Sequence, residues 1–92
     1  MTYRVRFAER VEKDLNRLPV NTRRCVVDRI DALANDPRPR QAKPLHGSLK
    51  GRWRLRVGDY RVIYEIRDDV LVVLVISVGA RSGVYGEMRR RR

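Results

Sequence analysis

Arg52-Trp53-Arg54-Leu55-Arg56-Val57-Gly58-Asp59-Tyr60-Arg61-Val62-Ile63-Tyr64 is the stretch that decides the fold. Trp53, Leu55 and Val57 alternate with three arginines, the period of two that turns one side of a strand inward and the other outward. Gly58-Asp59 supplies a two-residue hairpin turn, and Tyr60, Val62, Tyr64 and Ile66 carry the alternation into the next strand. Downstream, Asp68-Asp69 turns the chain into Val70–Val78, an apolar run broken only by Ser77, which reads as a central strand covered on both faces. Gly79 ends it, and Ala80 to Gly86 reads as a glycine-containing loop. Upstream, Tyr3, Val5 and Phe7 alternate with Arg4 and Arg6 and predict a first strand. From Ala8 the period changes: Val11, Leu15 and Leu18 form the stripe of an amphipathic helix that Pro19 closes. A second helix is predicted from about Val20 to Asn35, with Val26, Ile30 and Leu33 as its stripe and Val27 and Ala34 widening it. Asp36-Pro37 stops it, because a residue before proline is pushed out of helical angles. Pro37 to Gly51 holds three prolines and two glycines and reads as a loop crossing back to the sheet. The order β-α-α-β-β-β predicts an α+β domain: a mainly antiparallel sheet with a helical hairpin packed on one face. The opposite face then shows Arg52, Arg54, Arg56 and Arg61.

Charge is concentrated where the hairpin begins. Arg38 to Gly58 contains seven Lys or Arg and no Asp or Glu, whereas residues 1–37 hold eight basic and six acidic residues and residues 59–92 hold seven and five. The middle segment alone supplies +7 of the net +11, and a local excess of that size suits a polyanion. Ninety-two residues predict one domain, assigned to residues 1–88, with Arg89–Arg92 as a disordered basic tail. An anionic membrane is the weaker partner, since no run reaches the ~18 apolar residues of a spanning helix. Arg4 and Arg6 interrupt any N-terminal apolar region, so no secretory leader is expected. Cys25 is the only cysteine, which excludes a disulfide framework and fits a reducing cytoplasm.

The usual catalytic motifs are absent: no H-E-x-x-H, no paired C-x-x-C, no G-x-S-x-G and no phosphate-cradling glycine loop. His46 is the only histidine and sits on the presumed loop without a visible partner, which favours an incidental role. Glu9, Glu12, Asp28 and Asp31 fall on polar helix faces, where solvation accounts for them, and no metal or other cofactor is expected. The arginine row is different. Guanidinium forks match phosphate oxygens two at a time, so Arg52, Arg54 and Arg56, with Lys43 and Lys50 upstream, form a candidate row for binding a nucleic-acid backbone. Such contacts bring affinity with steep salt dependence and little sequence information. Arg81 and Tyr85 lie just past the apolar strand, where with the row they can close a cationic pocket around one phosphate.

The segment Leu49-Lys50-Gly51-Arg52-Trp53-Arg54-Leu55-Arg56-Val57-Gly58-Asp59-Tyr60-Arg61-Val62-Ile63-Tyr64, followed by Val75-Ile76-Ser77-Val78-Gly79 and Arg81…Val84-Tyr85, resembles the RelE toxins of the RelE/ParE superfamily. The resemblance spans about residues 3 to 87. It implies the toxin of a type II toxin–antitoxin system, with a β-α-α-β-β-β fold and a cognate antitoxin as partner. It further implies an endoribonuclease that cuts mRNA in the ribosomal A site, without a metal, by attack of the 2′-hydroxyl on the adjacent phosphodiester. Residue by residue, Arg54 and Arg56 match strand positions often occupied by lysine, and Arg61 matches an arginine at the scissile phosphate. Arg81 matches the loop arginine that stabilises the transition state, and Tyr85 the tyrosine that stacks on a base or acts as the general base. Two other readings stay open from the sequence. A ParE-like toxin shares the fold and poisons DNA gyrase, and a non-enzymatic RNA-binding module explains the charge equally well.

Overall fold

The computed structural model describes residues 2–80. Strand β1 (Arg4–Phe7) leads into helix α1 (Glu9–Asn16) and helix α2 (Val20–Ala32). Strands β2 (Ala42–Pro44), β3 (Arg52–Val57), β4 (Tyr60–Arg67) and β5 (Val72–Ala80) complete a five-stranded sheet in the order β1-β5-β4-β3-β2. The strands pair antiparallel except β1, which runs parallel to β5. The predicted α+β architecture is therefore present, with one addition. The Pro37–Gly51 stretch contains β2, which pairs Ala42, Lys43 and Pro44 with Leu55, Arg54 and Trp53. A proline at the end of a three-residue edge strand leaves its missing N–H on the unpaired side or beyond the ladder, which is where a sheet tolerates proline.

Both helices pack on one side of the sheet, α1 against β5 and α2 against β3. Val11 and Leu18 of the first helical segment and Val26, Ile30 and Leu33 of the second are buried there, the stripes expected from their spacing. Leu55, Val57, Val62, Tyr64, Val73, Val75 and Val78 meet them from the sheet. Tyr64 is fully buried, and its hydroxyl donates to the carbonyl of Pro37 at 2.7 Å, tying the exit of α2 to mid-sheet. Burial pushes its phenol far above the ordinary tyrosine range, so it stays a donor. Tyr64→Phe is expected to cost about 1–2 kcal/mol, because it strands that carbonyl without its donor. A chemical-denaturation midpoint unchanged by the substitution would contradict this.

The apolar run behaves differently from its reading as a strand covered on both faces. Between Ile63 and Tyr64 the pairing with β5 slips by one residue, so that Ile63 faces Ser77 but Tyr64 faces Val75. Ile76 is the extra residue of a β-bulge. The slip changes which parity of β5 faces the helices: Val73 and Val75 before it, Val78 after it. Val72 and Leu74 point to the other side and are only partly covered. Continuous apolarity here serves a change of phase as well as burial.

Arg38 organises the corner where α2 leaves the helical layer. It forms a two-pronged pair with Asp68, the shorter contact at 2.8 Å, and stands over the Trp53 ring at 5.5 Å. The Tyr3 hydroxyl donates to the same carboxylate. These donors, Arg38 first and then Tyr3, hold the Asp68 carboxyl below its usual range. A depressed carboxylate contributes stability above its unfolded pKa, about 4, and loses it as pH falls through the lower folded value. Asp68→Asn is therefore expected to lower the melting temperature slightly near pH 7, the pair being exposed. The offset should shrink as pH drops below about 4, and an offset constant with pH would refute the assignment.

Candidate nucleic-acid interface

The side of the sheet away from the helices is set by the ladders. Arg52, Arg54 and Arg56 pair with Glu65, Ile63 and Arg61, so these six side chains share a face. Lys43, opposite Arg54, joins them from β2. The hairpin turn fixes this register: Gly58 has φ +59°, the left-handed value that the first turn residue of a two-residue hairpin demands. Lys50 lies in the turn ahead of β3, exposed and outside the ladder.

Across the mouth of the hairpin Arg56 and Arg61 are direct neighbours, with Cα atoms about 4.5–5.5 Å apart. Like charges facing each other in a sheet are unfavourable. Arg61 is nevertheless only 6% exposed, and Gly79 of β5 lies on its other side. One pair further along, Arg54 faces the buried Ile63, and the Arg54 Nε is buried without a hydrogen-bond partner among the described residues. Among those residues neither Arg54 nor Arg56 enters an ion pair. The one carboxylate on β4, Glu65, binds Arg52 at 3.4 Å and Arg67 at 3.1 Å, away from the hairpin mouth. Arg54, Arg56 and Arg61 thus form a cationic cluster set by backbone pairing, in which Arg54 and Arg56 have no ion pair among the described residues. Its chemistry is that of an anion receptor with planar, permanently charged donors.

The structure brings five expected residues, Lys43, Arg52, Arg54, Arg56 and Arg61, onto one face. Arg52 is partly neutralised there, which sets it apart from the other two arginines of β3. Arg81, Tyr85 and the basic tail lie outside the described residues. Trp53, Tyr60 and Tyr64 all turn to the helical side by register, so stacking on a base has no described aromatic on the arginine face. Cys25 is exposed on α2. Among the described residues no group of His, Cys, Asp and Glu side chains has the arrangement of a metal site, and no helix is long and apolar enough to cross a membrane.

Asp14 was not marked by the sequence reading and proves to be structural. It is 6% exposed, and its Oδ2 accepts from the Val78 N–H at 3.1 Å and from Arg10 Nε at 3.2 Å. β1 stops at Phe7, opposite Val75, so β5 runs on past its parallel partner. Asp14 takes the place of the missing strand at Val78, one residue before Gly79 beside Arg61. Its signal was available: with Val11, Leu15 and Leu18 it occupies the i, i+3, i+4, i+7 stripe, where a carboxylate needs a buried donor.

Comparison with known proteins agrees with this geometry. The family described as "ParE toxin of type II toxin-antitoxin system, parDE" matches residues 5–85. Toxin RelG of Mycobacterium tuberculosis is 35% identical over 86 residues, covering 92% of this chain and 98% of the relative. The mRNA interferase toxin RelE of Escherichia coli is 34% identical over 94 residues, covering 99% and 98%. Among solved structures, the toxin–antitoxin complex RelBE from M. tuberculosis superposes with a TM-score of 0.80 at 34% identity, covering 88% of this chain and 100% of the matched one. The class is therefore that of toxins from type II toxin–antitoxin systems. Within it, the chain belongs to the RelE/ParE family and is a RelE-type toxin.

Proposed function

We propose that this toxin is an endoribonuclease that cuts mRNA in the ribosomal A site and so halts translation. The observation that carries the reading is the Arg54–Arg56–Arg61 cluster: three guanidinium groups brought together by the β3–β4 register on the face that α1 and α2 do not cover. The E. coli relative bears the name mRNA interferase, which supports the same reaction class. In the proposed reaction the 2′-oxygen forms a bond to phosphorus while the P–O5′ bond breaks. The 2′-hydroxyl gives up a proton and the leaving 5′-oxygen takes one. Negative charge grows on the phosphate as it becomes pentacovalent, and fixed guanidinium donors stabilise it there without reorganising. Arg61 holds the scissile phosphate, with Arg54 and Arg56 beside it and Arg81 completing the clamp. None of them can shuttle protons, because arginine stays charged at any working pH. Tyr85 is assigned to the base or to stacking on a nucleobase, and no metal or other cofactor enters the scheme.

Primer extension on mRNA in a translating extract tests this reading: cuts within codons at the A site are expected, and intact message sinks it. The ParE name of the matching family keeps one rival in view, a gyrase poison, which would arrest supercoiling while sparing mRNA. The partner we infer is a cognate antitoxin, as in the toxin–antitoxin complexes formed by the structural neighbours. The charge of +11 favours an acidic one, and the cytoplasm is the compartment where ribosome and antitoxin meet.

A further inference from the structure

The arginine face does not end at the cluster. Following β4 along the same side, Arg61 is succeeded by Ile63, Glu65 and Arg67. Across the sheet, Glu65 pairs with Leu74 and Arg67 with Val72, and these in turn pair with Arg6 and Arg4 of β1. Arg4, Arg6 and Arg67 therefore gather at the far end of the face, about 20 Å along β4 from Arg61. All three are exposed. Among the described residues Arg4 and Arg6 enter no ion pair, Glu65 is shared between Arg67 and Arg52, and of the turn acids Asp68 and Asp69 beyond Arg67, Asp68 is held by Arg38 and Tyr3. Val72 and Leu74 lie between them as a partly covered apolar floor. The face thus carries two cationic basins, separated along β4 by Ile63 and the bridged carboxylate of Glu65.

We propose that this second basin binds the phosphate backbone of the mRNA several nucleotides away from the bond being cut. The inference rests on the nuclease reading above and names the substrate as a single strand long enough to cross the whole face. A single strand is favoured because the two basins share one face of the sheet and lie in line along β4, about 20 Å apart. The apolar floor also suits unpaired bases better than the polar shell of a duplex. The sign of the charge and the lack of described aromatic side chains make the contact one of position, not of base sequence.

The probe is a single-stranded 2′-O-methyl RNA, which cannot be cut, in lengths of about four and about twelve nucleotides. Binding to the intact toxin is followed by fluorescence anisotropy over a series of salt concentrations. Replacing Arg4, Arg6 and Arg67 together by glutamine should lower the salt slope for the longer strand by about 2, since each single-strand phosphate contact contributes about 0.7. Affinity for the longer strand should fall at least tenfold more than for the shorter one. The single variant Arg6→Gln, with an expected slope change of about 0.7, serves if the triple variant does not fold. An unchanged slope, or equal weakening at both lengths, overturns the proposal. So does a loss confined to a duplex or structured RNA hairpin probe. A-site cutting by the unmodified toxin is scored in parallel. Cutting with an unchanged slope refutes the second basin alone, whereas absence of cutting refutes the nuclease reading.

Discussion

Arg61→Ala is expected to lower the rate of A-site cleavage by about 10²–10³-fold, the loss typical of removing one fixed donor from a developing oxyanion. Of the described arginines it is the most deeply placed, with Arg56 facing it on one side and Gly79 on the other. Burial leaves its guanidinium little room to be replaced by water or by a neighbouring side chain. The companion variants give the result its meaning. Arg61→Lys keeps the charge and loses the planar fork, so a partial loss is expected. Arg52→Ala should change cleavage far less, because Glu65 already neutralises much of that charge. A thermal melt accompanies each variant, and the single-turnover rate is read by primer extension. If Arg61→Ala and Arg52→Ala cut equally well, the catalytic role of the hairpin mouth is wrong.

Asp14→Ala is expected to produce the largest loss of stability, about 2–3 kcal/mol, because it leaves the Val78 N–H buried and unsatisfied and takes the partner from Arg10. For a chain of this size each kcal/mol corresponds to about 4–8 °C in melting temperature. Asp14→Asn retains an acceptor oxygen for Val78 and should cost clearly less. The two variants separate the backbone contact from the pair with Arg10, whose side chain is largely exposed. Equal melting temperatures for the two variants would show that the charge, and not the acceptor, holds α1 to β5. Since Val78 immediately precedes the residue beside Arg61, hydrogen exchange of the Val78 amide is expected to accelerate in Asp14→Ala before global unfolding.

The hairpin of β3 and β4 was legible because period-two alternation and the Gly58 turn agree, and local agreement of that kind identifies an element without its neighbours. The helices were legible for the same reason, down to Val26, Ile30 and Leu33. Other features depend on partners distant in sequence. β2 has three residues and a proline, too few for a period to register. The bulge at Ile76 hides inside an apolar run that reads the same with or without it. Arg4 and Arg6 showed the alternation of Arg52 to Arg56, yet only the parallel pairing with β5 tells which face they join. On the site side, the shared face of Arg54, Arg56 and Arg61 followed from alternation, while the neutralisation of Arg52 by Glu65 needed the cross-strand register. Asp14 stood in plain view within a helical stripe, and its donor belongs to a strand at the other end of the described chain.

The parallel pairing of the first strand with the fifth has a consequence for how the protein is made. β1 emerges from the ribosome first, yet Arg4 can find its partner only once Val72 has been synthesised. Until then the sheet lacks its outer strand, and the Asp14 carboxylate waits for the Val78 N–H that it will accept from. Contacts this distant in sequence also form slowly, because the chain between them must first be closed into a loop. The nascent toxin therefore passes through its whole synthesis without a finished anion-binding face. Assembly of that face is deferred until β5 arrives.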